Sequence, residues 1–182
     1  MQFLKIVALA AFAATLALAQ QTRDFVTKPT TDFEDSKPNS AAVPEGYATS
    51  GQFERIVVFR FKYQTDLLKG IEDLVAKQKI HNAVILSGIG SVRNSHVHAV
   101  SNRDFPSQNV FIKDPDTPAD IISINGYVIE GRVHAHMTLS DENKAFGGHI
   151  EPDTNVLTFA IVTLGVFDDS VDLSRVDDKT YR

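Results

Sequence analysis

The chain contains no cysteine. That excludes disulfides, a thiol nucleophile and lipid attachment at cysteine, so an exported form would be held by its core or by association. Sequons are missing as well: Asn39, Asn94 and Asn102 all fail the Asn-x-Ser/Thr rule. No apolar run reaches the roughly 20 residues that a bilayer-spanning helix needs. Glycine-rich phosphate loops are absent, since "SGIG" at 87–90 is too short and wrongly spaced for a dinucleotide fingerprint. No Ser-His-Asp arrangement can be picked out. Basic residues are few: of 18 Lys and Arg, Lys5 falls in the leading segment, and the remaining 17 face 23 Asp and Glu, a net of −6. Such a balance argues against holding nucleic acid, whose backbone asks for clustered Lys and Arg.

The leading segment, residues 1–19, reads as a secretory signal peptide. Lys5 supplies the positive start, Ile6 to Leu18 the apolar run, and Ala17 and Ala19 a small-residue cleavage site before Gln20. The expected destination is outside the cell or the periplasm. Residues 20–52 are rich in Thr, Ser, Pro and charge without an apolar period, and read as a flexible leader that Phe25, Phe33 and Tyr47 could pin to a domain surface. One domain follows, at 53–168, and an acidic tail at 169–182.

Within the domain, "FERIVVFRFKY" reads as a strand. Leu67, Leu68, Ile71, Leu74 and Val75 recur at helical spacing, with Thr65 as N-cap. "HNAVILSGIG" is apolar on both sides and reads as a central strand. "SVRNSHVHAVS", "NVFIK", "DIISINGYVIEG", "RVHAHMTLS" and "GGHIEP" read as further strands. "NVLTFAIVTLGVF" is apolar on both faces, which predicts burial of both. One early helix followed by many strands and short turns predicts an α+β fold with a mostly antiparallel sheet and one main helix packed on it.

The chemistry concentrates in "GRVHAHMTLSDENKAFGGH", residues 131–149. In "RVHAHMTLS" Val133, Ala135, Met137 and Leu139 alternate with His134, His136, Thr138 and Ser140, so one face is core and both histidines lie on the other. "SDENK" is a turn signal. A turn centred between Glu142 and Asn143 sets His136 opposite His149, with His134 diagonal to it and Glu151 opposite His134. Residues directly opposite in an antiparallel pair share a face. Three imidazoles would then converge, and three nitrogens are the first shell of an open zinc site. The Gly147–Gly148 pair permits a bulge or a close backbone approach. The alternative is a set of polar-face histidines touching solvent or a neighbouring subunit. His96 and His98 in "SHVHAV" repeat the one-apart spacing, either as a second or supporting site or as ordinary polar-face residues. His81 reads as a helix-end or loop residue.

"AVILSGIGSV", "DIISINGYV", "HAHMTLSDENKAFGGHI" and "TFAIVTLGVF", in that order, resemble the PPC (plants and prokaryotes conserved) domain from about Phe53 to Phe167. Its most specific part is the HxH strand followed by GGH. The resemblance implies a compact α+β subunit, a homotrimer, and a bound metal, zinc, on His134, His136 and His149. Plant members join the domain to an AT-hook, a short Arg-Gly-Arg-Pro core, and no such run occurs here.

Three functions follow as expectations. The first is an exported homotrimeric binding module with a three-histidine zinc site. The second is a metal-dependent hydrolase, in which zinc acidifies a water in the fourth position and Glu151 is the general base. The third, implied by the family resemblance, is nucleic-acid binding, with Arg55, Arg60, Lys62, Lys69, Lys77 and Lys79 as the only basic concentration, against the simpler reading of a solvated helix face.

Overall fold

The computed structural model describes residues 20–25, 41–42, 44–103 and 107–177. The segment read as a signal peptide, and Phe33, lie outside these residues. The strands are β1 (Thr22–Phe25), β2 (Phe53–Lys62), β3 (Ala83–Val92), β4 (Ser95–Val100), β5 (Asn109–Asp114), β6 (Ala119–Ile129), β7 (Arg132–Ser140), β8 (Ala145–Ile150) and β9 (Val156–Phe167). They form a single sheet in the order β1-β5-β4-β8-β7-β6-β3-β9-β2. Every neighbouring pair is antiparallel. The helix is α1 (Leu67–Lys77), the one helix among the described residues. The architecture is therefore a mostly antiparallel sheet with a single helix of 11 residues, and α+β describes it only in that loose sense.

The helix begins one residue later than its spacing implies. Asp66, not Thr65, is the N-cap, and its side chain accepts from the Lys69 amide at 3.1 Å. Both residue types cap well. Asp66 is selected because its other carboxylate oxygen also accepts the Asp153 amide at 2.8 Å, in a bridge between Asp66 and Asn155 that only the folded chain forms.

Leu67, Leu68, Ile71 and Val75 bury their side chains, and the sheet meets them with Phe59, Phe61, Ile85, Ile124, Met137, Ile150, Val162 and Leu164. This covered face holds the main core. The opposite face is left open by the described residues. On β9, Val156, Ala160, Val162 and Leu164 are buried, whereas Phe159 is exposed and Ile161 and Thr163 are half-buried. So β9 is interior, between β3 and β2, but it is not buried on both faces as its composition predicts: the helix covers one side only. The same asymmetry leaves Ile56 54%, Val58 62%, Ile89 54% and Ile122 56% exposed on neighbouring strands. With Leu86 and Phe159 they form an apolar patch on the open face.

Two flanking segments are more ordered than their composition implies. Thr22–Phe25, inside the supposed flexible leader, pair with β5 in the register Thr22↔Lys113 to Phe25↔Val110, because β5 would otherwise be a bare edge. In the acidic tail Val171 and Leu173 are buried with Ile129 in a small second cluster. The Asn82 side-chain amide donates to the Val171 carbonyl at 3.0 Å.

Candidate metal centre

Strand β7 has the alternation its sequence predicts: Ala135, Met137 and Leu139 are buried, and His134, His136 and Thr138 point to the open face. The β7–β8 hairpin takes the anticipated register, His136↔His149, Met137↔Gly148, Thr138↔Gly147. Its turn is closed by Asp141, whose carboxylate accepts the Asn143 amide at 2.7 Å and the Lys144 amide at 2.8 Å. The two glycines serve close approach, since the hairpin runs without a bulge. A Cβ on Gly147 would collide with the Met137 carbonyl of β7, and one on Gly148 with the His98 carbonyl of β4. They draw three strands together and set His149 between its neighbours.

His134, His136 and His149 meet: one ring nitrogen of each lies within 4.8 Å of the other two. The Nε2 atoms of His134 and His136 are 3.2 Å apart. The His149 ring stands edge-on to both, with centroids 5.0 Å from His134 and 5.1 Å from His136. Behind His134, its Nδ1 meets Asp177 Oδ2 at 3.1 Å. A carboxylate there holds the proton on Nδ1 and leaves the Nε2 lone pair facing the cluster. Nothing in the sequence pointed to Asp177, which reaches the site because Val171 and Leu173 tie down the tail ahead of it.

The other assigned residues divide. Strand β4 lies beside β8 and pairs His98 with His149. Their rings stack at 4.5 Å. His98 therefore joins the cluster, whereas the His96 ring turns to the Pro152 carbonyl, 2.8 Å from Nδ1. Glu151 does not stand opposite His134. It follows the end of β8 and turns to the other neighbour, where its Oε1 is 2.5 Å from His98 Nδ1. The β7–β8 pairing stops at His136↔His149, and the Glu151 amide bonds the His96 carbonyl of β4 at 3.0 Å. His81 is an exposed residue after the helix, and its carbonyl accepts the Gly131 amide at 2.8 Å.

Partial burial and the crowd of rings disfavour a proton on His149 and His136. His149 is pushed down to about 4, first by desolvation and then by His98, His134 and His136, against a smaller upward pull from Glu151. His136 is lowered for the same reasons, desolvation ahead of His134 and His98. Neutral imidazoles offer lone pairs, the form that ligates a cation. The cluster opens into a cavity of about 590 Å³ whose walls include Asn109, Arg132 and Asp177.

The depressed His149 value sets a sign for stability. Between about 4 and the ordinary 6.5 the unfolded chain binds a proton at this site that the folded one does not. Stability from this group is complete above 6.5 and drains away as pH falls towards 4. Thermal melts of chelator-treated protein should show a lower Tm at pH 4.5 than at pH 6.5, with a smaller difference in His149→Gln. Equal pH dependence in the two proteins would refute the assignment.

Residues 48–168 match the family model of the Plants and Prokaryotes Conserved (PCC) domain. Solved structures share the fold. A metal-containing protein from Archaeoglobus fulgidus superposes with TM-score 0.55 at 21% identity, covering 67% of this chain and 86% of its own. A plant- and prokaryote-conserved protein of Pyrococcus horikoshii gives 0.51 at 24% identity, covering 70% and 86%. A hypothetical protein from Salmonella gives 0.53 at 19%, covering 66% and 81%. No curated protein matches the chain.

Proposed function

Because the chain belongs to the Plants and Prokaryotes Conserved domain family, as its match over residues 48–168 establishes, we propose that it is an exported, homotrimeric binding module holding a zinc ion on His134, His136 and His149. The observation that carries the metal reading is the 3.2 Å between the Nε2 atoms of His134 and His136. Two nitrogens bound tetrahedrally to one zinc at about 2.0–2.1 Å stand about 3.3 Å apart, so the rings already keep the spacing of shared ligands. The Asp177 carboxylate on the far nitrogen of His134 is the usual support of a metal-binding histidine. Imidazole donors suit zinc better than the oxygen-seeking calcium or magnesium. A structural neighbour, the Archaeoglobus fulgidus protein, is metal-containing, in keeping with this reading.

The homotrimer reading is supported by the open face, where Ile56, Val58, Ile89 and Ile122 would otherwise remain in water. Export is supported by the leading apolar segment with its Ala17 and Ala19 cleavage signal. The test of the zinc site is calorimetric titration of purified mature protein: zinc should bind, and His134→Ala should lose the equivalent that the three histidines hold. A flat titration sinks the metal reading.

Asp177 gives a finer prediction. Asp177→Asn should weaken zinc binding by about 10–100-fold while leaving the melting temperature of metal-free protein nearly unchanged. Unaltered affinity would mean that the tail plays no part in holding His134.

A hydrolytic reading has one observation in its favour. The cluster opens on a cavity of about 590 Å³ lined in part by His98 and His149, the two histidines that Glu151 meets. Bound zinc would supply a Lewis acid there, and Glu151 would have to leave His98 to take a proton from a substrate. Loss of activity in Glu151→Gln with zinc retained would favour it. Nucleic-acid binding is the weakest reading. Of its six basic residues, Arg55 pairs with Glu54, Lys69 with Asp73, and Arg60 lies over Phe159. Steep salt-dependent affinity for DNA would restore it.

A further inference from the structure

We propose that the open face carries a second divalent-cation position, built from His98, His149 and Glu151. It rests on reading this histidine face as metal-binding, but not on His134 and His136. One donor atom from each of the three residues lies within 4.8 Å of the other two. The sequence scatters them across β4 and the end of β8, and the sheet assembles them by pairing His98 with His149. Phe111 on β5 lies 5.2 Å from the His98 ring and walls the position on the side away from β8.

His98 Nδ1 and Glu151 Oε1, 2.5 Å apart, are 21% and 20% exposed in their side chains. The two atoms are close enough to share one hydrogen bond. A divalent cation would take the place of the proton in that bond, with His149 as its third ligand. The cation displaces the proton to solvent, and the two donors move apart by under about 1 Å to reach bonding distance. Two imidazoles and one carboxylate suit zinc, cobalt, manganese or ferrous iron and do not suit calcium, which takes six or more oxygens. The harder carboxylate ligand distinguishes this position from the all-imidazole one, so the two should rank metals differently.

His149 belongs to both groups. Its ring is stacked on His98, with planes 24° apart, and is edge-on to His136, with planes 84° apart. An imidazole has two ring nitrogens. Sharing couples the positions, because a cation at one fixes the tautomer and angle of the ring that the other needs.

The experiment is calorimetric zinc titration of the full mature protein in three forms: wild type, His134→Gln/His136→Gln, and the same double variant with His98→Ala and Glu151→Gln added. Circular dichroism checks that each form is folded. The expected result is two equivalents on wild type, one retained by the double variant and none by the quadruple variant. If wild type binds zinc and the folded double variant binds none, the second position does not exist. If the quadruple variant binds as well as the double, the ion sits elsewhere and the proposal is overturned. If wild type itself binds nothing, this proposal and the three-histidine reading fall together. If wild type and the double variant each bind one equivalent and the quadruple variant none, this position stands and the three-histidine one falls.

Discussion

His149→Ala is expected to cost the protein nearly all of its zinc binding. This residue is the ligand common to both donor groups, so its removal leaves His134 with His136 on one side and His98 with Glu151 on the other. Two ligands hold zinc far less well than three. Replacing groups that merely support a ligand costs about 10–100-fold in affinity, so losing the ligand itself should cost at least about 100-fold. Thermal stability offers a direct measure. With free zinc at about 100 times the wild-type Kd, binding stabilises the folded wild type by about 2.7 kcal/mol. A variant weakened about 100-fold would gain only about 0.4 kcal/mol under the same conditions. Without zinc the two proteins should melt within a few degrees of each other at pH 7, since His149 is already neutral there. An equal zinc-induced rise in Tm for both would place the ion away from this cluster.

Ile89→Lys is expected to separate the proposed homotrimer into monomers. Ile89 lies on β3 directly opposite Ile161 of β9, in the middle of the apolar patch. At 54% exposed in the single chain, it contributes little to the chain's own core, so its replacement should spare the fold. In an assembly that buries the patch, the lysine would be an unpaired buried charge, which costs several kcal/mol. Since about 1.4 kcal/mol is a factor of ten, association should weaken by at least about 100-fold. Light scattering coupled to gel filtration should give three times the chain mass for wild type and the chain mass for the variant. Zinc binding should survive, because every proposed ligand comes from one chain. A wild type that elutes as a monomer at micromolar concentration would remove the trimer from the proposal.

The two halves of the site were not equally legible. His134, His136 and His149 come from strands adjacent in sequence and joined by the short "SDENK" turn. A hairpin's register depends on that turn and on alternation, both local. The pairing His136↔His149 could therefore be worked out before any fold was known. The partner of Glu151 could not. Which strand lies on the far side of β8 depends on a crossover that brings in β4, whose His98 is 53 positions from Glu151. Extending the hairpin register past His149 put Glu151 opposite the wrong histidine, since the pairing had already ended. The choice of Asp66 over Thr65 as helix cap, and the arrival of Asp177 behind His134, have the same origin: each depends on contacts between distant segments.

By itself, the sequence determined the strand alternation, the helix, the convergence of three histidines on the polar side of one hairpin, and the family. These follow from periodicity and turn chemistry, which act over a few residues. Only the tertiary structure decided that the described residues leave one side of the sheet uncovered, that His98 and Glu151 extend the histidine cluster, and that the tail returns to it. Those outcomes depend on strand order and on where a single 11-residue helix can lie, and neither is written in any short stretch of the chain.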